Sequence, residues 1–381
     1  MKIHFTYGPF CMSRVIDFTA LETSKRGLTG SEGSCLQYAH QMAERGHEVS
    51  LDVYYKGGED ETFDWGGVRV RTLVEVPEVV GEGADVVCAW NEPDILRRVP
   101  APTVRYVNQQ LNDFNYVQSR DFIQHVDLLS SPSEHHLAFL RGLGNLNVPT
   151  AIVANGCAPS DYEGAVKVPG RVLWASSADR GLHVLLEAWP AIRRAVARAH
   201  LRCLYEFNYD GLRGVEDRVD IDNDPKEIAN RARYIRYGMD RLRDQGVEHV
   251  GSVSRVQMVE EMGAAEVLAY PCETLRYTEG FSVSTLEACA AGAIPVIGAT
   301  DALPSLYGEA AVVVPSPPSE HLTEYACQVV RALVDPGWAA ERRARCLELA
   351  RGYAWPLLAE RFEQRLEGAV KAGRRNPGSG S

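Results

Sequence analysis

Apolar, strand-forming runs alternate with helix-forming runs along this chain, and the alternation starts twice. In the first half, Lys2–Tyr7 reads as a buried strand. A glycine-rich loop follows over residues 27–34, then a helix with Leu36, Ala39, Met42 and Ala43 on one face, then a strand over Glu48–Tyr54. Further strands are expected at Val68–Leu73 and over residues 85–90, 103–108, 126–131 and 151–154. Ser133 is placed to cap the helix that carries His135, Leu137 and Leu140. Residues 161–169 are polar with Pro and Gly and read as a linker. The pattern then restarts: a strand over 171–176, an exit loop over 177–182, and an amphipathic helix over 184–195 kinked at Pro190. Strands follow over 201–207, Val247–Gly251, 266–270, 294–297 and 311–314, with helices over 228–245 and 258–264. Strand–helix–strand alternation builds parallel sheets covered by helices. A length of 381 residues exceeds one ordinary core, so two doubly wound α/β domains are expected.

The strands end in polar tips: Asn91 after the strand over 85–90, Asn108, Gln109 and Gln110 after the next, and Asn155-Gly156 after the last of the first half. In open parallel sheets ligands bind at the carboxyl edge. The loop over 27–34 precedes a helix, where free N–H groups and the helix dipole suit a phosphate, but its spacing is not the dinucleotide fingerprint.

The most specific stretch is 278–298, T-E-G-F-S-V-S-T-L-E-A-C-A-A-G-A-I-P-V-I-G. Glu279 stands before a helix and Glu287 within it; eight helical steps would separate them by roughly 12 Å. Gly280 permits close approach of backbone to a ligand, and Ser282, Ser284 and Thr285 add hydroxyls at the same end. A nucleotide sugar matches that span, with a diol at each end and a diphosphate between.

Composition narrows the partners. A net charge of −11 disfavours nonspecific nucleic-acid or anionic-lipid binding. Nine dispersed cysteines without C-x-x-C read as reduced thiols, which together with an N-terminus lacking a signal-peptide pattern predicts a cytoplasmic protein. No apolar run has membrane-spanning length. Asp220, Asp222 and Asp224 give overlapping Asp-x-Asp matches, but inside an acidic polar run expected to be solvated, so no metal ligand is assigned.

The string Glu279-Gly280-Phe281 through Glu287-Ala288, followed by Gly292 and Pro295-Val296-Ile297, resembles the donor-site signature of the family-4 retaining glycosyltransferases of GT-B fold, the group 1 glycosyl transferases. The resemblance spans nearly the whole chain and is strongest over 170–315. It implies two facing Rossmann-like domains with a cleft and a final helix crossing back to the first. On that basis the expected division is 1–160 for an acceptor-side domain, 170–350 for a nucleotide-sugar domain, 351–375 for the returning helix and 376–381 for a disordered tail. The element around Trp355 resembles the family's crossing point.

By the same resemblance Glu279 contacts the donor sugar and Glu287 the ribose, while Gly280, Phe281 and Ser282 face sugar and phosphate. Arg180 stands where the family has a diphosphate-gripping lysine, Gly251 and Ser252 where it meets the nucleotide base, and Gly30 and Ser31 where it faces the diphosphate. Asn91, Asn108, Gln109 and Gln110 fall on the acceptor side. Beyond the Arg180 replacement, three departures are evident: Thr29 replaces a family glycine, Ser176 or Ser177 stands where the family has an arginine, and the loop after Val107 lacks the His that many members place there. No general base is named. The function implied is metal-independent, retaining transfer from a UDP- or GDP-linked sugar, as co-substrate with no cofactor, to an unidentified acceptor hydroxyl. Retention implies front-face attack or double displacement, and the resemblance favours the former. The rivals are a nucleotide-sugar epimerase of the same fold and a catalytically inactive nucleotide-sugar-binding protein.

Overall fold

The computed structural model describes residues 1–8, 16–25, 27–54, 59–112, 121–144, 146–205 and 225–375. It divides into two units: residues 1–19, 28–156 and 353–381 form the first, and residues 20–27 and 157–352 the second.

The first unit is built on an eight-stranded sheet. Its strands are β1 (Lys2–Tyr7), β2 (Glu48–Tyr54), β3 (Glu61–Trp65), β4 (Val68–Leu73), β5 (Val86–Trp90), β6 (Val104–Asn108), β7 (Leu128–Ser131) and β8 (Thr150–Ile152). They run in the order β3-β4-β2-β1-β5-β6-β7-β8. All neighbours pair parallel except β3, which is antiparallel to β4 at the edge. β5 is buried at every position, as a central strand covered on both faces must be. Helix α1 (Gly30–Glu44) packs its Leu36, Ala39 and Met42 inward. Helix α2 (Glu134–Leu143) is capped by Ser133, whose side chain accepts from the His136 N–H.

The second unit carries β9 (Arg171–Trp174), β10 (His200–Leu204), β11 (Val247–Gly251), β12 (Val267–Tyr270), β13 (Ile294–Gly298) and β14 (Val312–Val314), all parallel, in the order β11-β10-β9-β12-β13-β14. Its helices are α3 (Leu182–Ala195, with Pro190 inside), α4 (Pro225–Leu242), α5 (Arg255–Ala264), α6 (Val283–Ala290), α7 (Leu303–Tyr307), α8 (Leu322–Val334) and α9 (Pro336–Arg351). The last helix, α10 (Trp355–Arg375), belongs to the first unit, where Phe362 packs against Phe5, Tyr38 and Tyr106. Trp355 stacks edge-on to Tyr38 and lies so close to Gly156 that a Cβ there would fall 2.6 Å from the indole.

Several expectations need correcting. The glycine-rich loop ends at Thr29, and residues 30–34 are already helix. Residues 161–169 do not form a free linker: they belong to the second unit, Tyr162 is buried, and Lys167 Nζ donates to the Ala291 carbonyl. Helix α5 starts at Arg255 rather than Met258, because Ser254 and Gln257 form a reciprocal capping box. Residues Asp113, Phe114, Asp220, Asp222, Asp224 and the tail 376–381 lie outside the described residues.

Candidate active site

Each sheet has one place where the strand order reverses, and there a crevice opens at the carboxyl edge. In the first sheet it lies between β1 and β5, and in the second between β9 and β12. The sequence-selected residues gather at these two edges.

In the second unit, β9 runs out through Ser176 and Ser177 into a short 3-10 turn, Ala178–Arg180, and Gly181 begins α3. Gly181 has φ +114°, and a Cβ on it would lie 2.1 Å from the Pro271 carbonyl oxygen. Only glycine lets this loop lie so close to the segment leaving β12. The Glu273 N–H donates to the Arg180 carbonyl at 3.2 Å, tying the two loops. Arg180 is thereby brought to Glu279, and its Nη1 donates to Glu279 Oε1. The Glu279 side chain is 1% exposed and that of Arg180 36%. The carboxylate raises the Arg180 pKa well above its usual value against the opposing effect of burial. Glu279 is thus enclosed. Asp301, itself at φ +50°, accepts from the Thr278 and Glu279 N–H groups at 2.8 and 2.9 Å, fixing the loop.

Ser282 caps α6: its hydroxyl accepts from the Thr285 N–H at 3.3 Å and bonds the Thr285 hydroxyl at 2.8 Å. The Tyr307 hydroxyl donates to the Ser282 carbonyl. The Ser282 hydroxyl is therefore engaged in the cap, while Gly280 is buried and Phe281 half-buried beside Tyr307. Glu279 precedes the helix, so the separation from Glu287 is not eight helical steps. Glu287 lies in α6 with its carboxylate paired to Arg255. Gly251, at φ +83°, ends β11, and Ser252 follows it half-buried.

In the first unit, Asn91 leaves β5 at φ +64°, a left-handed conformation that asparagine tolerates. Its Nδ2 donates to Ser31 Oγ at 2.7 Å, and its Oδ1 accepts from the Gln110 and Leu111 N–H groups at 2.6 and 3.1 Å. Gln110 Nε2 donates onward to Ser34 Oγ and Asn155 Oδ1. Gly30 and Ser31 form the first turn of α1, and Thr29, in place of a glycine, makes a capping box with Glu32. Asn108 and Gln109 are fully buried. Burial pushes the His136 imidazole down to about 4, and its Nδ1 hydrogen-bonds Ser131 Oγ at 2.8 Å.

Sequence reasoning missed Asp301, Arg255 and Asp161. For Arg255 a signal existed: Ser254-x-x-Gln257 is a capping-box spacing that puts the helix start beside it. Among the described residues no group of three or more His, Cys, Asp or Glu side chains is arranged to hold a metal ion. No described helix is long and apolar enough to cross a membrane.

Residues 168–334 match the family model described as Glycosyl transferases group 1, a span that is less than half of the chain but most of the second unit. No curated protein sequence matches the chain. Among solved structures, sucrose-phosphate synthase from Thermosynechococcus elongatus is 15% identical with TM-score 0.69, covering 97% of this chain and 99% of that one. The trehalose-6-phosphate synthase OtsA is 10% identical with TM-score 0.68, covering 96% and 99%. HepE from Anabaena, in complex with UDP and glucose, is 15% identical with TM-score 0.62, covering 97% and 100%. At such identities the likeness is one of fold, and it runs over both units. The chain has the GT-B fold of two Rossmann-like units, and over residues 168–334 it matches the group 1 glycosyl transferases.

Proposed function

We propose that this protein is a retaining glycosyltransferase that moves a sugar from a UDP- or GDP-linked donor to an acceptor hydroxyl without a metal. The observation that carries the reading is the meeting of Arg180 and Glu279, 99 positions apart, at the reversal point of the second sheet. A guanidinium suits a diphosphate through its planar fork, and a carboxylate suits sugar hydroxyls. The match to group 1 glycosyl transferases over these residues supports the same reading.

In this account Glu279 orients the donor sugar and Glu287 holds the ribose. Gly251 and Ser252 approach the base. The bond from the anomeric carbon to the phosphate oxygen breaks while the acceptor oxygen attacks from the same face, and the acceptor proton passes to the departing phosphate oxygen. The charge that develops on the diphosphate is offset by Arg180 and by N–H groups of the loop entering α6. For the first unit the proposal assigns Gly30 and Ser31 to a phosphate and the Asn91–Gln110 network to the acceptor side. The protein acts in the cytoplasm.

The test is release of nucleotide diphosphate from UDP- and GDP-sugars across a panel of acceptors, with and without EDTA. Release that needs an acceptor and survives EDTA is expected. Turnover lost in EDTA and restored by Mg²⁺ or Mn²⁺ would contradict the metal-independent mechanism. Conversion of donor alone into an epimer, without release of diphosphate, would contradict transfer itself.

A further inference from the structure

Glu287 is held by a partner that no part of the reading above uses. Arg255, the first residue of α5, donates from Nη1 to Glu287 Oε1 and from Nη2 to Asp161 Oδ2, the latter at 3.0 Å. Asp161 lies in the 3-10 turn Pro159–Tyr162. One guanidinium therefore joins three elements of the second unit: that turn, the start of α5, and α6. The Glu287 side chain is 12% exposed and that of Arg255 29%. Burial is the largest single influence and would lower the Arg255 pKa, but Glu287, Tyr162 and Asp161 together outweigh it and raise the pKa.

Two features set this apart from an ordinary surface pair. A cation in the first turn of a helix faces the positive end of the dipole, so α5 alone does not favour it there. Moreover, Glu287 Oε2 accepts no hydrogen bond among the described residues. A carboxylate has about four lone-pair sites, and Arg255 occupies one on Oε1, leaving Oε2 for a ligand. A planar fork gripped at both ends fixes orientation as well as charge.

We propose that Arg255 is a positioning residue for nucleotide binding: held by Asp161, it turns the free oxygen of Glu287 toward the ribose diol and makes the site selective for ribonucleotides. This rests on the reading of Glu287 as the ribose ligand. Arg255 acts through Glu287 and touches no reacting atom.

The experiment is calorimetric binding of UDP and GDP, each beside its 2′,3′-dideoxy counterpart, to the wild type, Arg255→Lys, Asp161→Asn and Glu287→Gln. In the wild type the ribose form of the accepted nucleotide should bind about ten-fold or more tighter, the worth of a charged hydrogen bond. Arg255→Lys keeps a cation beside Glu287 but loses the fork, and should bring the preference to within about two-fold while dideoxy affinity holds. In the Glu287→Gln background, Arg255→Lys should change nothing further. A preference kept in Arg255→Lys, or equal weakening of both nucleotide forms, would overturn the proposal and leave Arg255 a structural clamp. Should Arg255→Lys fail to fold, Asp161→Asn decides in the same way, with a reduced preference expected and an unchanged one contradicting. A wild type that prefers neither form, or a Glu287→Gln variant that keeps the preference, would instead remove Glu287 from the ribose. If neither UDP nor GDP binds, the donor reading fails and this proposal with it.

Discussion

At the residue scale, Glu273 shows how the loops of the second unit are fastened. It follows β12, accepts from the Ser319 N–H at 2.9 Å, and lies 3.7 Å from His183 Nε2. Burial would raise its pKa, but the neighbouring His183 and the hydrogen bonding from Ser319 together outweigh burial and hold it down at about 2. A carboxyl whose folded pKa lies below its unfolded value of 4.5 stabilises the fold above that value and loses the contribution as pH falls toward 2. Denaturant unfolding of wild type and Glu273→Gln should therefore show the wild type more stable at pH 7, with the gap shrinking by pH 3. A gap of equal size at both pH values would contradict this. Not all such residues were legible beforehand. Glu279, Arg180 and Glu287 stood out because their neighbours form a recognisable string. Asp301 did not, because its role depends on a left-handed backbone and a loop 22 residues upstream. Nor does spacing reveal that Glu279 is enclosed: that follows from where the Arg180 loop lands.

At the element scale, the loop Ala178–Gly181 is the clearest case of backbone geometry serving a side chain. Gly181→Ala would put a Cβ against the Pro271 carbonyl, with the backbone already at φ +114°. Backbone cannot yield as a flexible side chain does. Strain and overpacking of this kind cost about 1–3 kcal/mol each. Thermal unfolding should show the midpoint lowered by several degrees, roughly 2–4 °C per kcal/mol for a domain of this size. An unchanged midpoint would mean the loop has room that the structure does not show. Most strands were readable because parallel strands buried on both faces are runs of apolar residues. The edge strand β3 was not, since its exposed and half-buried residues give no such run. The start of α1 was misplaced because glycines suggested a loop, whereas the Thr29–Glu32 capping box starts a helix across them. Helix α7 has only five residues, too few for a periodic signal.

At the scale of the whole molecule, two doubly wound units were legible from the restart of the strand–helix alternation and from length. The strand order was not, and it is the order that puts Arg180 beside Glu279 and Asn91 beside the start of α1. The short segment 20–27, which belongs to the second unit although it interrupts the first, also carries no sequence signal. The central claim is that this fold turns over a nucleotide sugar and that Glu279 fixes the sugar for attack. Substrate positioning counts most when it matches the transition state. The direct measurement is turnover of the nucleotide sugar and affinity for the nucleotide diphosphate on one folded preparation of Glu279→Gln. The account predicts turnover lower by about ten-fold or more, each factor of ten being 1.36 kcal/mol, with diphosphate affinity nearly intact. Full turnover in that variant would contradict it and leave the Glu279 loop as scaffold.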